Sequence, residues 1–399
     1  MSVRLLDVNA QNHPLAPALR DAFDRVMATG VFIMGPEVTA FEEECAAAVD
    51  ANHAIGVSSG TDALLLALMA MDIGPGDEVI VPAFSFFATA GCVARTGATP
   101  VFADVCPVCF NIDVADVAAK ITPRTKAIIP VHLFGQCADM PALLALAADH
   151  GLKVIEDAAQ SMGARNHGAS CGTIGDAGIF SFFPSKNLGG FGDAGMLVTN
   201  DDALAARARR LRNHGMEPKY FHREIGGNFR IDALQSALLR VKLPHLPAYS
   251  AARALNAAAY TAALGALPGV VTSIAPPTCG ADCACGASAV RDARVILPVA
   301  LPDNHHIWNQ YTLRVLGAGA RDSLRSALDA AGIGCEVYYP LTLDQQDCFA
   351  HLPGHARSGC AISHMLANEV LSLPVYPELP SSGRDEVVAT IATWLSGND

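Results

Sequence analysis

Basic residues are scarce in this chain. Lys and Arg total 27 against 39 Asp and Glu, a formal charge of −12 over 399 residues. That deficit excludes a general nucleic-acid binder, which needs a basic footprint. A local positive pocket for a small anion remains open to it. Long apolar runs are also missing, since no stretch approaches the roughly 18 consecutive apolar residues of a membrane span. The opening Met1-Ser-Val-Arg-Leu-Leu-Asp7 has no basic segment leading into an apolar core, so no secretory leader is expected. No Gly-x4-Gly-Lys-Ser/Thr loop occurs, which excludes a Walker phosphate site. The 12 cysteines form no framework, and Cys45, Cys92 and Cys335 sit inside apolar segments. The expected setting is cytoplasmic, with reduced thiols. Cys106-Pro-Val-Cys109 and Cys279-Gly-Ala-Asp-Cys283-Ala-Cys285 lack a partnering CxxC or His pair at zinc spacing. Both read as chance placement in loops, and no metal is expected.

Half the residues are hydrophobic (51%) and only 17% are charged, a composition that suits an α/β protein with a deeply buried sheet. The length exceeds one ordinary core. We expect a large domain over 1–245 and a smaller C-terminal α+β domain over 246–399, with the N-terminal segment free to pack on the latter. Between about 53 and 200, short β-branched runs alternate with helical patterns. Strands are expected at 54–57, 78–81, 99–102, 127–131, 153–156, 177–182 and 195–199. Helices are expected at 61–71, 85–96, 114–120 and 141–150. Such alternation predicts a mainly parallel sheet covered on both faces, with ligands at the strand ends. Helices at 14–29 and 37–49 precede it, and others at 202–212 and 231–242 follow. A long alanine-rich helix at 248–267 reads as a hinge. The Pro/Gly/Cys-rich stretch 273–294 reads as a loop, strands at 295–299 and 310–315 follow it, and helices at 321–331 and 361–371 complete the chain.

Three segments carry chemistry. Ser58-Ser59-Gly60-Thr61 follows a strand and opens a helix, where free N–H groups and the helix dipole favour an anion such as phosphate. Alone it is equally a simple N-cap. Asp157 ends the run Leu152-Lys-Val-Ile-Glu-Asp157, so its carboxylate projects at a strand end. Glu156 falls on the opposite face by alternation. Lys186 lies 29 positions further on, in Phe180-Ser-Phe-Phe-Pro-Ser-Lys-Asn-Leu-Gly-Gly190. Placed among aromatics and glycines after a buried strand, its amine is expected to be desolvated, nucleophilic and low in pKa. A lysine that condenses with an aldehyde and a carboxylate that keeps a pyridine nitrogen protonated are the two groups pyridoxal phosphate chemistry most needs. Gln160 is expected to hydrogen-bond the same ring's phenolic oxygen.

These segments resemble those of the DegT/StrS sugar aminotransferases. The resemblance rests on Phe32-Ile-Met-Gly-Pro-Glu37, Gly56-Val-Ser-Ser-Gly-Thr-Asp-Ala-Leu64, Gly76-Asp-Glu-Val-Ile-Val-Pro82 with Phe84-Ser-Phe86, and Pro130-Val-His-Leu-Phe-Gly135. It continues through Glu156-Asp-Ala-Ala-Gln160, Phe180-Ser-Phe-x3-Lys186, Arg212-Asn-His-Gly215, Gly227-Asn-Phe-Arg-Ile-Asp232 and Glu336-Val-Tyr-Tyr-Pro340. It implies the aspartate-aminotransferase fold (fold type I), pyridoxal 5'-phosphate as cofactor, and amino transfer, by family habit from glutamate, to a nucleotide-linked keto sugar. Lys186 would carry the cofactor covalently and shuttle protons, and Asp157 would pair with the ring nitrogen. Gln160 would contact the phenolate side, Phe86 would stack on the ring, and Gly60, Thr61 and Ser181 would bind phosphate. Asn228 would reach the phosphate of a neighbouring subunit, which implies a homodimer with shared sites. His214, Arg230 and Tyr338 would border the substrate, with Lys219 and Arg223 as further candidates for its diphosphate. A dehydratase branch carries histidine where this chain has Lys186, and a non-catalytic regulatory member is the other alternative. A desulfurase using Cys335 or Cys348 finds neither thiol in a cofactor motif. The chain departs from the family at Tyr339-Pro-Leu-Thr-Leu-Asp344, where Asp344 replaces an expected histidine, and in the 273–294 insertion.

Overall fold

The computed structural model describes residues 3–272 and 293–397. Seven strands, β1 (His53–Val57), β2 (Glu78–Pro82), β3 (Thr99–Ala103), β4 (Thr125–Ile128), β5 (Lys153–Asp157), β6 (Ala177–Ser181) and β7 (Gly195–Thr199), form one sheet in the order β1-β7-β6-β5-β4-β2-β3. Strand β7 runs antiparallel to both of its neighbours. The remaining pairings are parallel, as expected. Burial on both faces explains the unbroken Glu-Val-Ile-Val-Pro and Gly-Met-Leu-Val-Thr runs, whose residues are all buried. The carboxyl ends of β1, β2, β5 and β6 share one edge. From it emerge the 58–61 turn, the Phe84–Phe86 segment, Asp157 and the Lys186 loop.

The helix Gly60–Ala70 is apolar nearly all round because it is enclosed nearly all round. Leu64, Leu65, Leu66 and Leu68 are all buried. At roughly 1.5–3 kcal/mol for each buried leucine, this packing outweighs any preference of its polar start for solvent. Ser59 caps the helix, its hydroxyl accepting the Asp62 N–H at 3.0 Å. The other boundaries moved for local reasons. The expected helix 85–96 forms as Ala88–Arg95, three residues later at its start, since 83–87 are used to leave the strand. The helix at 231 starts at Ala233, because Asp232 caps it through the Gln235 N–H at 2.7 Å. The strand expected over 127–131 stops at Ile128, and Val131 instead bridges Asp157.

A second sheet, β8 (Val270–Thr272), β9 (Val295–Leu297), β10 (Tyr311–Val315) and β11 (Val370–Leu373), has the order β8-β9-β10-β11. Its core includes Leu264 of the long helix Leu246–Gly265, Leu324 and Leu328 of Ala320–Ala330, and Ile391 and Trp394 of Ser381–Ser396. Val3 joins this core and bridges Ile333. Two expectations are corrected here. The helix at 361 ends at Glu369, because Val370-Leu-Ser-Leu373 is fully buried as β11 rather than amphipathic. The helix Ser381–Ser396 was not anticipated at all. Of the expected loop 273–294, only 293 and 294 are described, so the Cys279, Cys283 and Cys285 group lies outside the described residues. Among the described residues no helix is long and apolar enough to cross a membrane.

Candidate active site

Strand β6 ends at Ser181, and the chain then folds back on itself. The Lys186 N–H donates to the Phe183 carbonyl at 2.8 Å and the Gly190 N–H to the Phe182 carbonyl at 2.7 Å. A side chain at Gly189 would collide with the Pro184 carbonyl, so the fold-back requires glycine there. The buried Lys242 ammonium donates to the Gly189 carbonyl and pins the loop from below. Lys186 is thereby held in dense surroundings, and burial pulls its pKa down to about 8 while the Asp157 charge pulls the other way. A useful share of the amine is therefore neutral near physiological pH.

Asp157 is 5% exposed, and burial pushes its pKa up. Opposing that are a hydrogen bond from Thr89 Oγ1 to Oδ2 at 2.8 Å, another from the Ala159 N–H to Oδ1 at 3.2 Å, and the nearby Lys186 and His132. Alternation sends the neighbouring Glu156 to the other face. There it is fully buried and accepts from the N–H groups of Gly172, Ile174 and Gly175 at 2.6–2.7 Å, and lies 2.7 Å from His132 Nε2. One carboxylate anchors a loop; the other lies within electrostatic reach of the lysine.

The turn at 58–61 opens a helix, as expected. Gly60 and Thr61 occupy the first helical positions, whose N–H groups have no acceptor within the helix. A Cβ on Gly60 would come within 2.9 Å of the Ser181 Cβ, so the close approach of these two residues depends on the missing side chain. Gln160 is buried with a fixed orientation. Its Oε1 accepts the Phe134 N–H at 2.8 Å, and its Nε2 donates to Tyr339 Oη at 3.1 Å, which leaves the second amide hydrogen uncommitted. Phe86 is 58% exposed, and its ring centroid lies 6.3 Å from that of Tyr339.

Some expected residues sit at the margin. Tyr338 contacts the Tyr339 ring at 5.9 Å, but Tyr339 is the one bonded to Gln160. Asn228 is exposed, in a segment whose Phe229 carbonyl accepts the Ser58 N–H at 2.9 Å. Arg230 donates to Asn213 Oδ1 at 2.6 Å, and its buried Nε has no partner. His214 is exposed with φ of 61°, and Lys219 and Arg223 are exposed on the loop that follows. Asp344 is buried, with Oδ2 lying 2.7 Å from His364 Nε2. An imidazole thus reaches that place from 20 residues downstream. Burial pushes the Cys335 thiol up to about 11, which leaves it a poor nucleophile.

Thr89, His132 and Tyr339 were not singled out in the sequence. No local pattern marks Thr89, because its partner is 68 positions away. His132 forms a buried group with Cys137 and Cys171. Its Nδ1 accepts the Ala138 N–H at 3.1 Å and its Nε2 faces Glu156, so both ring nitrogens are already engaged.

A sheet whose strand ends gather a helix-opening Ser-Ser-Gly-Thr turn, a buried carboxylate and a buried-loop lysine is the arrangement an α/β aminotransferase needs. The chain belongs to the DegT/DnrJ/EryC1/StrS aminotransferase family, whose pattern matches residues 15–392. It is 45% identical to the "Pleiotropic regulatory protein" of Geobacillus stearothermophilus, covering 99% of each. To the UDP-N-acetyl-3-dehydro-alpha-D-glucosamine 3-aminotransferase of Acidithiobacillus ferrooxidans it is 43% identical, over 99% of this chain and 97% of that one. Among solved structures, S. venezuelae DesV in complex with a ketimine intermediate superposes with a TM-score of 0.89 at 40% identity, covering all of both chains.

Proposed function

We propose that this protein is a pyridoxal 5'-phosphate-dependent aminotransferase that moves an amino group, from glutamate, onto a nucleotide-linked keto sugar. The observation that carries the reading is the placement of Lys186, in the fold-back after Ser181, next to the strand that ends in the buried carboxylate of Asp157. The residues fit the cofactor. Asp157 presents a carboxylate already oriented by Thr89 and the Ala159 N–H, Gln160 offers one uncommitted N–H, and Gly60 lets the helix start approach Ser181 so closely that a Cβ would clash. Thr61 and Ser181 complete the phosphate donors, and Phe86 supplies the ring face. Bound pyridoxal phosphate supplies an aldehyde to carry the amino group and a cationic ring to absorb negative charge at the donor's α-carbon. Lys186 Nζ would condense with the aldehyde carbon, with loss of water, and once freed by a donor amine would be the base placed to move a proton. His214, Arg230 and Tyr338, with Lys219 and Arg223, lie on segments suited to the sugar diphosphate.

We place the boundary between a large and a small domain near residue 245, where a 3-10 turn, Leu243–His245, joins Ala233–Lys242 to Leu246–Gly265. Large apolar side chains exposed beside the site (Phe86, Phe183, Phe191) and the exposed Asn228 support a homodimer that shares its active sites. The name of the Geobacillus relative favours a regulatory reading, and one experiment separates the two. The purified protein is mixed with pyridoxal phosphate and its visible spectrum is followed on adding glutamate. Conversion to the pyridoxamine form, lost in Lys186→Ala, supports transamination. A spectrum indifferent to glutamate and to every keto-sugar nucleotide tried favours the regulator.

A further inference from the structure

Thr89 is wholly buried on the helix Ala88–Arg95, yet its hydroxyl is not used to stabilise that helix. Helical threonines commonly bond back to the carbonyl four residues earlier. Here Oγ1 instead lies 3.1 Å from the hydroxyl of Ser85, itself buried, and 2.8 Å from Asp157 Oδ2. An ionised carboxylate has no proton to give, so Thr89 donates to Asp157 and Ser85 donates to Thr89. The Ala159 N–H takes Oδ1, so both oxygens of Asp157 are held and its rotation is fixed. A valine would fill the same volume without the polar contact, so packing alone does not account for threonine here.

The chemical consequence concerns one proton. A carboxylate buried beside a pyridine nitrogen can take the proton from that nitrogen, leaving both neutral, unless something favours its charged form. Hydrogen bonds to the charged form do so. We propose that Thr89, supported by Ser85, is a positioning residue that keeps Asp157 ionised and oriented, so that the proton stays on the ring nitrogen of bound pyridoxal phosphate. The inference rests on the aminotransferase reading above and assigns a task to two hydroxyls outside the first circle of contacts.

The test uses cofactor labelled with 15N at the ring nitrogen, bound to wild type, Thr89→Val, Thr89→Ser and Ser85→Ala. The 15N shift reports directly whether that nitrogen is protonated. Wild type and Thr89→Ser are expected to show the pyridinium signal. Thr89→Val should move towards the neutral signal, and Ser85→Ala should move less in the same direction. Loss of a hydrogen bond to a charged group is worth about tenfold or more in an equilibrium. The cofactor dissociation constant of Thr89→Val should therefore rise roughly tenfold, with kcat falling and the donor KM little changed. A folded Thr89→Val with the wild-type shift and affinity overturns the proposal, as does a folded Thr89→Ser that fails to restore them. Should Thr89→Val not fold, Ser85→Ala with an unchanged shift overturns it. If wild type takes up no cofactor, the functional reading itself has failed, and this inference with it.

Discussion

In the cofactor-free protein, Lys186 should titrate near pH 8 rather than near the ordinary lysine value of 10.5. At pH 7.5 an amine of pKa 10.5 is about 0.1% neutral, whereas one of pKa 8 is about a quarter neutral, so the nucleophilic form is enriched roughly two-hundredfold. Competitive acetylation followed by mass spectrometry reads each lysine's midpoint directly. Replacing Asp157 by Asn removes the charge that holds the ammonium in place, so the Lys186 midpoint should fall below 8, not rise. The same shift is also a statement about stability. Between pH 8 and 10.5 the unfolded chain binds more protons at this lysine than the folded one, so stability rises with pH across that window. Below pH 8 the full penalty is present. The drop from 10.5 to about 8 corresponds to about 3 kcal/mol as a ceiling. The residue as a whole is only half-buried, and solvent screening brings the expected figure to about 1–3 kcal/mol. Cofactor-free Lys186→Met should therefore be more stable to urea than wild type at pH 7, and the gap should close by pH 10.5. A Lys186 midpoint near 10, or a Lys186→Met variant no more stable at pH 7, refutes the argument.

Other outcomes follow from single contacts. Glu156→Ala strips three backbone N–H groups and His132 of their buried acceptor. It should cost about 3–5 kcal/mol in denaturant unfolding, while Glu156→Asp costs less. Gly60→Ala pushes a methyl group to 2.9 Å from Ser181 and should weaken pyridoxal phosphate binding about tenfold or more by equilibrium dialysis, with little change in melting temperature. Tyr339→Phe removes the acceptor of the Gln160 amide and should lower kcat/KM by roughly fivefold, the value of one ordinary hydrogen bond.

The large sheet was legible because burial on both faces writes itself into continuous β-branched runs. Six of its seven strands fell within about a residue of their expected ends, and only the fourth ended early. The helix-opening turn at 58–61 and the lysine loop were legible for a related reason, since each is a strand exit marked by Gly, Ser or Pro. Lys186 and Asp157 were found as local patterns, and the structure brings them into electrostatic contact. What was not legible was pairing between distant segments. Thr89 looks like any helical threonine until Asp157 is placed beside it, and Tyr338 and Tyr339 are indistinguishable in sequence until Gln160 selects one. Strand β11 was hidden because Val370-Leu-Ser-Leu373 continues an apolar pattern that a helix also satisfies over so few residues.

Glu156 and Asp157 stand one peptide apart and meet different partners on opposite faces, so this strand tolerates a change of letter far better than a change of phase. Deleting a single residue upstream in Lys153–Asp157 would turn the Asp157 carboxylate among the backbone amides of 172–175 and take Glu156 away from them. Natural insertions and deletions should therefore cluster elsewhere, and a library built on this scaffold should leave the length of that segment untouched even where it varies the residues.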